Sequence, residues 1–350
     1  MADRSPSEER RPSVGRPSTA DSAPYFGVDV GGTKVAAGVV DDAQLTDESQ
    51  QPTDLSGPEA LLDEIATAVD RLVDRHGKPA GIGVGLPSQI DFEAGAVVSS
   101  VNIPLEGVPV REQLEHRFGV PVVVDNDANC AALAEASVEG VDHLVMLTLG
   151  TGVGGGVVIG GKIFRGAHGL GAELGHFPIQ ADGPECPGNC PGRGCLEALC
   201  SGTALERDAT EAGSHVPDSE LGERYADDGR VSGREAVEAA ERGDATALEL
   251  FDRLGCYLGV GIAGFVNIFG PQRVAVGGGL SRAHGLFFDR AVEEAGRRSL
   301  PRLWERTEVR LAQGGAAAGL IGAGVLAQQE FGDTQNPSQM TNEETSGSHR

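Results

Sequence analysis

One histidine and three cysteines crowd into twenty positions of this chain: His176, Cys186, Cys190 and Cys195, spaced H-x9-C-x3-C-x4-C. Imidazole and thiolates are the ligands a closed tetrahedral Zn²⁺ takes. The loop between them, Ala181 to Gly194, is rich in Pro and Gly with nothing to bury, so a metal would explain its order. Unligated loop thiols are the alternative. Glu173 and Glu197 bracket the cluster. Carboxylate, imidazole and carboxylate together suit vicinal sugar hydroxyls, each accepting or donating directionally.

Two glycine-rich turns carry a second chemistry. Asp29-Val-Gly-Gly-Thr-Lys34 lets backbone approach a phosphate with no Cβ in the way. Thr33 adds a hydroxyl, Lys34 a cation and Asp29 a carboxylate able to hold Mg²⁺ through water. Leu149-Gly-Thr-Gly-Val-Gly-Gly-Gly156 is its partner, and Gly32–Val40 and Gly150–Val158 share the pattern G-T-x-V-x-x-G-V-V. The repeat predicts two related lobes, each offering a phosphate-facing hairpin to one cleft; ordinary hairpin turns are the alternative. Val276-Gly-Gly-Gly-Leu280 would let a flat adenosine approach closely, or simply turn a strand into a helix. Val124-Asp-Asn-Asp-Ala-Asn129 places two carboxylates and two amides before a helix. That exceeds what one N-cap needs, and a carboxylate there could accept the proton of a substrate hydroxyl.

The elements that must position these groups read as α/β. Strands are expected at Tyr25–Val30, Val35–Val40, Gly81–Gly85, Val120–Val124, Leu144–Leu149, Val153–Ile159 and Arg273–Val276. Helices are expected at Pro58–His76, Ala131–Ala136, Leu248–Phe269 and Ala316–Gln329. Residues 1–23 and 331–350 are Ser-, Pro- and charge-rich and read as disordered ends.

Composition narrows the classes. The 350 residues are 39% hydrophobic and carry 52 acidic against 28 basic side chains, a formal charge of −24. Nucleic-acid and anionic-membrane binders need clustered Lys and Arg, so both are disfavoured. No run approaches a membrane span, and no signal-peptide core opens the chain, so a cytoplasmic protein is expected. Only Lys34, Lys78 and Lys162 are lysines. An acidic, Lys-poor chain suits a salt-rich cytoplasm; an acidic protein from GC-rich DNA is the alternative.

From about Tyr25 to Ala327, the order and spacing of these motifs resemble sugar kinases of the ROK (repressor, open reading frame, kinase) family. The resemblance implies an actin-like (ribonuclease-H-like) two-lobed fold with ATP and sugar in the interlobe cleft. Residues 24–128 plus about 316–330 would form the small lobe, and 129–315 the large lobe with its zinc loop. Asp127 is implied as the base that takes the proton from the sugar's 6-hydroxyl. Asn102, Asn126, Glu173, His176 and Glu197 are implied as sugar contacts, His176 being also a zinc ligand beside the three cysteines. Gly31, Gly32, Thr33 and Lys34 match the first phosphate loop, Thr151 and Gly152 the second, and Gly277, Gly278 and Gly279 the adenosine loop.

Two departures stand out. Three residues (Pro187, Gly188, Asn189) separate the first two cysteines where similar sequences usually have one, and Ser88 follows Pro87 where Gly is common. The resemblance implies an ATP- and Mg²⁺-dependent glucokinase with structural Zn²⁺, making glucose 6-phosphate, and a homo-oligomer (dimer or tetramer). Kinases of N-acetylmannosamine or fructose and sugar-sensing regulators are the alternatives. The family's repressors carry a helix-turn-helix ahead of the first phosphate loop, and the 28 residues before Asp29 hold no recognition helix. The nucleotide loops are expected to lie apart from the metal loop, so that metal loss would spare ATP binding.

Overall fold

The computed structural model describes residues 23–332. The expected disorder of the ends falls largely outside the described residues. Phe331, assigned to the tail, instead closes the last helix. In chain order the first half runs β1 (Tyr25–Val30), β2 (Lys34–Asp41), β3 (Gln44–Pro52), α1 (Pro58–His76), β4 (Gly81–Leu86), β5 (Gln89–Asp91), β6 (Ala96–Ser99), α2 (Val110–Phe118), β7 (Val122–Asn126) and α3 (Asp127–Glu139). The second half runs β8 (Leu144–Leu149), β9 (Val153–Ile159), β10 (Lys162–Ile163), α4 (Leu196–Cys200), α5 (Gly202–His215), α6 (Glu220–Asp228), α7 (Gly233–Glu241), α8 (Ala245–Phe269), β11 (Arg273–Gly277), α9 (Phe288–Arg298), α10 (Pro301–Trp304), β12 (Glu308–Leu311) and α11 (Ala318–Phe331).

The repeated glycine pattern marks a repeated architecture. One five-stranded sheet has the order β3-β2-β1-β4-β7 and the other β10-β9-β8-β11-β12. In each, three antiparallel strands are followed by two parallel ones. Each glycine turn thus joins the central strand of its sheet to the antiparallel neighbour.

Residue alternation explains the layering. In β1 and β4, Phe26, Val28, Val30, Ile82, Val84 and Leu86 face a core shared with Leu61, Ile65, Val69 and Leu72 of α1. These α1 positions recur at three and four residues, the stripe of an amphipathic helix, and Pro58 starts that helix where a missing N–H costs nothing. The opposite face of the strands presents Gly27 and Gly83, where a Cβ would strike the backbone of Leu320 and Ala323. The chain therefore returns α11 directly onto the first sheet, packed also on α3. Among the described residues, no helix is long and apolar enough to cross a membrane.

Strand β7 begins at Val122 rather than Val120, because Gly119 ends α2 in the left-handed region and Pro121 has no N–H to give a ladder. It continues to Asn126, in register with Leu86. Helix α8 starts earlier than its apolar run, at Ala245, because the Asp244 carboxylate caps Ala247 N–H at 2.8 Å.

Candidate active site

A cavity of about 570 Å³ opens between the two sheets. Its wall includes Asp29, Ser88, Asn102, Asn126, Asp127, Gly152, Glu173, His176, Glu197 and Gly278. Every expected sugar-side residue is therefore there. From the expected nucleotide set only Asp29, Gly152 and Gly278 line it. Gly31, Gly32, Thr33, Lys34, Thr151, Gly277 and Gly279 stand outside its wall. Gly32, Thr33 and Thr151 are exposed at turn tips, Gly279 is exposed at the start of a 3-10 helix, and Gly277 is buried in β11.

The corner between β7 and α3 divides its polar groups by task. Asn126 is the cap, its Oδ1 accepting from Ala128 N–H at 2.9 Å and Asn129 N–H at 3.2 Å. Asp125, 2% exposed, is spent on structure. Its Oδ1 accepts from Asn126 N–H at 2.7 Å and from Asn129 Nδ2 at 2.9 Å. Its Oδ2 pairs with Arg165 at 2.6 Å, whose guanidinium lies 3.6 Å from the Phe92 ring centre. Asp127 is left over from capping, and its Oδ1 accepts Ala128 N–H at 2.8 Å. Burial pushes its carboxyl up to about 6, and the negative charge of Asp29 adds to the shift. Asp29 is itself raised by burial, with Lys34 pulling the other way. A buried carboxyl whose ionisation a second carboxylate makes costlier is suited to take up a proton.

The metal-type cluster assembles despite its widened spacing. The ligand atoms of His176, Cys186, Cys190 and Cys195 all lie within 4.8 Å of one another. His176 Nδ1 is 3.3 Å from Cys186 Sγ, and Gly192 N–H donates to Cys190 Sγ at 3.4 Å. The cradle is tight, because a Cβ on Gly192 would lie 2.9 Å from Cys195 Sγ and 3.2 Å from Cys190 Sγ. Burial raises the Cys186 and Cys195 thiols above their ordinary value. Buried thiols facing one another are poor partners, and a bound cation would reverse this by favouring the thiolates. Donor set and spacing fit Zn²⁺.

The expected separation of metal and nucleotide loops does not hold. Glu197, two residues beyond Cys195, accepts Val153 N–H on its Oε2 at 2.8 Å, at the second glycine turn. Contacts between distant segments carry no residue-type signal, so sequence reasoning missed this one. It missed others in the same wall, among them Gln89, Thr148 and Gly319. At Gly319 the start of α11 presses on Asp29, leaving 2.7 Å between a hypothetical Cβ and Oδ1. Ala172, beside Glu173, holds φ at +66°, a strained value for a residue with a Cβ.

The whole folded part matches known proteins. The ROK family matches over residues 25–330. A glucokinase of Halalkalibacterium halodurans is 36% identical over 315 residues, covering 87% of this chain and 95% of that protein. The ROK hexokinase of Thermus thermophilus superposes with TM-score 0.79 at 38% identity, covering 88% of this chain and 99% of that one. A ROK family glucokinase from Streptomyces griseus, solved with glucose and AMPPNP, gives TM-score 0.70 at 36% identity over 87% of this chain and 99% of the other. The fold is the actin-like two-lobed one, and with two matched sheets, a cleft and this coverage, the chain belongs to the ROK family.

Proposed function

We propose that this protein is an ATP-dependent glucokinase that transfers the γ-phosphoryl group to the 6-hydroxyl of D-glucose. The observation that carries the reading is Asp127: a carboxylate released from capping, in the wall of the cleft, with its proton affinity raised to about 6. A base with that affinity is ionised at neutral pH and takes a hydroxyl proton as the phosphoryl bond forms. Asn102, Asn126, Glu173, His176 and Glu197 would hold the sugar so that O6 meets Asp127. The backbone N–H groups of Gly31–Lys34 and Thr151–Gly152 would hold the phosphates, and Gly277–Gly279 the adenosine. Seven of those nucleotide positions stand outside the cavity wall: Gly277, buried in β11, would only support Gly278, and for the other six the reading requires lobe closure, which would also exclude water.

Asp29 would hold Mg²⁺ through water, and the ion would neutralise phosphate charge. His176, Cys186, Cys190 and Cys195 would hold Zn²⁺, which would fix the orientation of the His176 ring for a sugar contact. The small lobe would comprise residues 24–128 with about 316–330, and the large lobe 129–315. The reading extends to a cytoplasmic, salt-adapted dimer or tetramer that binds neither nucleic acid nor membrane; the formal charge of −24 supports the last two.

A sugar panel with ATP and Mg²⁺, reading ADP release and identifying the product by NMR, tests it. Glucose 6-phosphate as the main product supports the reading. Preference for N-acetylmannosamine or fructose would replace the substrate, and no turnover on any hexose would point to a sensor.

A further inference from the structure

The tips of the two glycine hairpins are held in different ways. The first is held from within its own sheet: Thr53, just beyond β3, donates its hydroxyl to Gly31 O at 2.7 Å and its N–H to Thr33 O at 3.2 Å. The second is held from outside its sheet. Gly202 N–H donates to Gly150 O at 2.8 Å. Thr203 donates its N–H at 3.2 Å and its hydroxyl at 2.9 Å to Thr151 O. Glu197 Oε2 accepts Val153 N–H at 2.8 Å, and a Cβ on Gly152 would collide with the same oxygen. All four bonds come from residues 197–203, the segment that leaves Cys195. Val153 N–H is the one hydrogen bond recorded for the Glu197 carboxylate among the described residues, and Glu197 also lines the cavity.

We propose that Glu197 is a positioning residue for the second glycine hairpin, so that one carboxylate serves the sugar side and sets nucleotide affinity. The inference rests on the kinase reading for the identity of the hairpin's ligand. A turn of Gly-Thr-Gly has few side-chain atoms with which to fix itself, and glycine loses the most conformational freedom on ordering. A phosphate needs its N–H donors already aimed, and donors that must first be ordered bind more weakly by that cost. A hydrogen bond to a charged acceptor is the strong kind, and here the acceptor sits on α4, whose Leu196, Leu199 and Cys200 pack in one core with Leu254, Leu258 and Ile262 of α8.

The test is calorimetric binding of a non-hydrolysable ATP analogue with Mg²⁺, without sugar, so that sugar contacts do not enter. Glu197→Ala is expected to weaken the analogue about tenfold. Glu197→Gln, whose amide oxygen can still accept Val153 N–H, is expected to stay within about threefold of wild type. Thr203→Val removes one clasp at a residue outside the cavity wall and is expected to weaken the analogue about threefold. Amide hydrogen exchange over residues 150–153 should quicken in Glu197→Ala and Thr203→Val and not in Glu197→Gln. Should Glu197→Ala fail to fold, the Thr203→Val arm decides. Folded Glu197→Ala and Thr203→Val variants that bind the analogue within about twofold of wild type, with unchanged exchange, overturn the proposal. A wild type that binds no analogue would instead strike down the kinase reading itself.

Discussion

The hydroxyl of Ser88 donates to the hydroxyl of Ser100 at 2.8 Å. The same residue's carbonyl accepts from Asn126 Nδ2 at 3.2 Å, and Ser100 Oγ accepts Ile103 N–H at 3.3 Å. One cavity-wall residue thus ties the loop that carries Asn102 to the corner that carries Asn126. Where glycine stands at this position, the serine–serine link cannot form.

Removing that link should loosen the sugar side and leave the chemistry. Ser88→Ala is expected to raise the glucose KM about three- to tenfold, the scale of one lost hydrogen bond. Its kcat and ATP KM should stay within about twofold. Steady-state kinetics with each substrate varied checks this. A fall in kcat with an unchanged glucose KM would show that Ser88 does not position the sugar.

Asp127→Asn should lower turnover by about 10²-fold or more, the scale of a positioned base. In the wild type, kcat/KM should rise with pH and level off above about 6, where Asp127 ionises. Stability carries the opposite sign. The folded carboxyl sits near 6 against an ordinary value of 3.8, so the folded state binds more protons between them. Stability from this group is present below 3.8 and lost as pH rises through about 6. Asp127→Asn should therefore melt higher, relative to wild type, at pH 7 than at pH 4. A variant that turns over like wild type would reduce Asp127 to a helix-start residue.

What the sequence made legible depended on how local the cause was. Both glycine hairpins, α1 and α8 could be read because apolar periodicity and Gly turns sit within each segment. Strand β3, Gln44-Leu-Thr-Asp-Glu-Ser-Gln-Gln-Pro52, escaped because it is a largely polar edge strand whose partner, β2, supplies the pairing. Helices α5, α6 and α7 are short and mostly polar, and their buried faces appear only where α5 and α7 meet α8 and where α6 packs on α5 and α7. In the site, residue types were legible and connections were not. Asp125 and Asp127 look alike in sequence, and only Arg165, 40 positions away, shows which one is spent on structure. The four metal-type ligands could be read because their chemistry is rare and close in sequence.

Cys190→Ser should lower zinc content and raise the glucose KM, since His176 and Glu197 flank the disrupted ligand set. Because residues 197–203 also hold the second hairpin, analogue affinity should fall as well, by about threefold or more. Metal analysis of the purified wild type followed by separate glucose and nucleotide titrations of the variant checks both. Wild type without stoichiometric zinc would remove the metal from the account.

Salt should stabilise the fold. With 52 acidic and 28 basic side chains, 24 negative charges stay uncompensated even if every base is paired. Their repulsion reaches ~30 Å at 0.01 M salt and only a few ångströms at molar salt. Melting temperature and activity should both climb from about 0.05 to about 2 M KCl. A flat melting profile would reject salt adaptation and leave the kinase reading intact.

Glu135 should prove the costliest single carboxylate to remove. It lies fully buried in α3, and its oxygens accept Gln313 N–H at 2.9 and 3.0 Å and Gly314 N–H at 2.9 Å. Those two donors belong to the crossing from β12, in the second sheet, to α11, which packs on the first. Just beyond them, Gly315, Ala318 and Gly319 line the cleft. Glu135→Ala would strip two backbone N–H groups, those of exposed Gln313 and half-buried Gly314, of their charged acceptor and open a void at a buried α3 position, at a cost of about 2–4 kcal/mol. Glu135→Gln keeps one acceptor oxygen and should lose less. Because Gly319 abuts Asp29, the Gln variant should also lower kcat while it remains folded at assay temperature. Urea unfolding of both variants, with kinetics on the Gln form, separates the two effects. An Ala variant as stable as wild type would show that the crossing is held elsewhere, and an unchanged kcat in the Gln variant would confine Glu135 to stability.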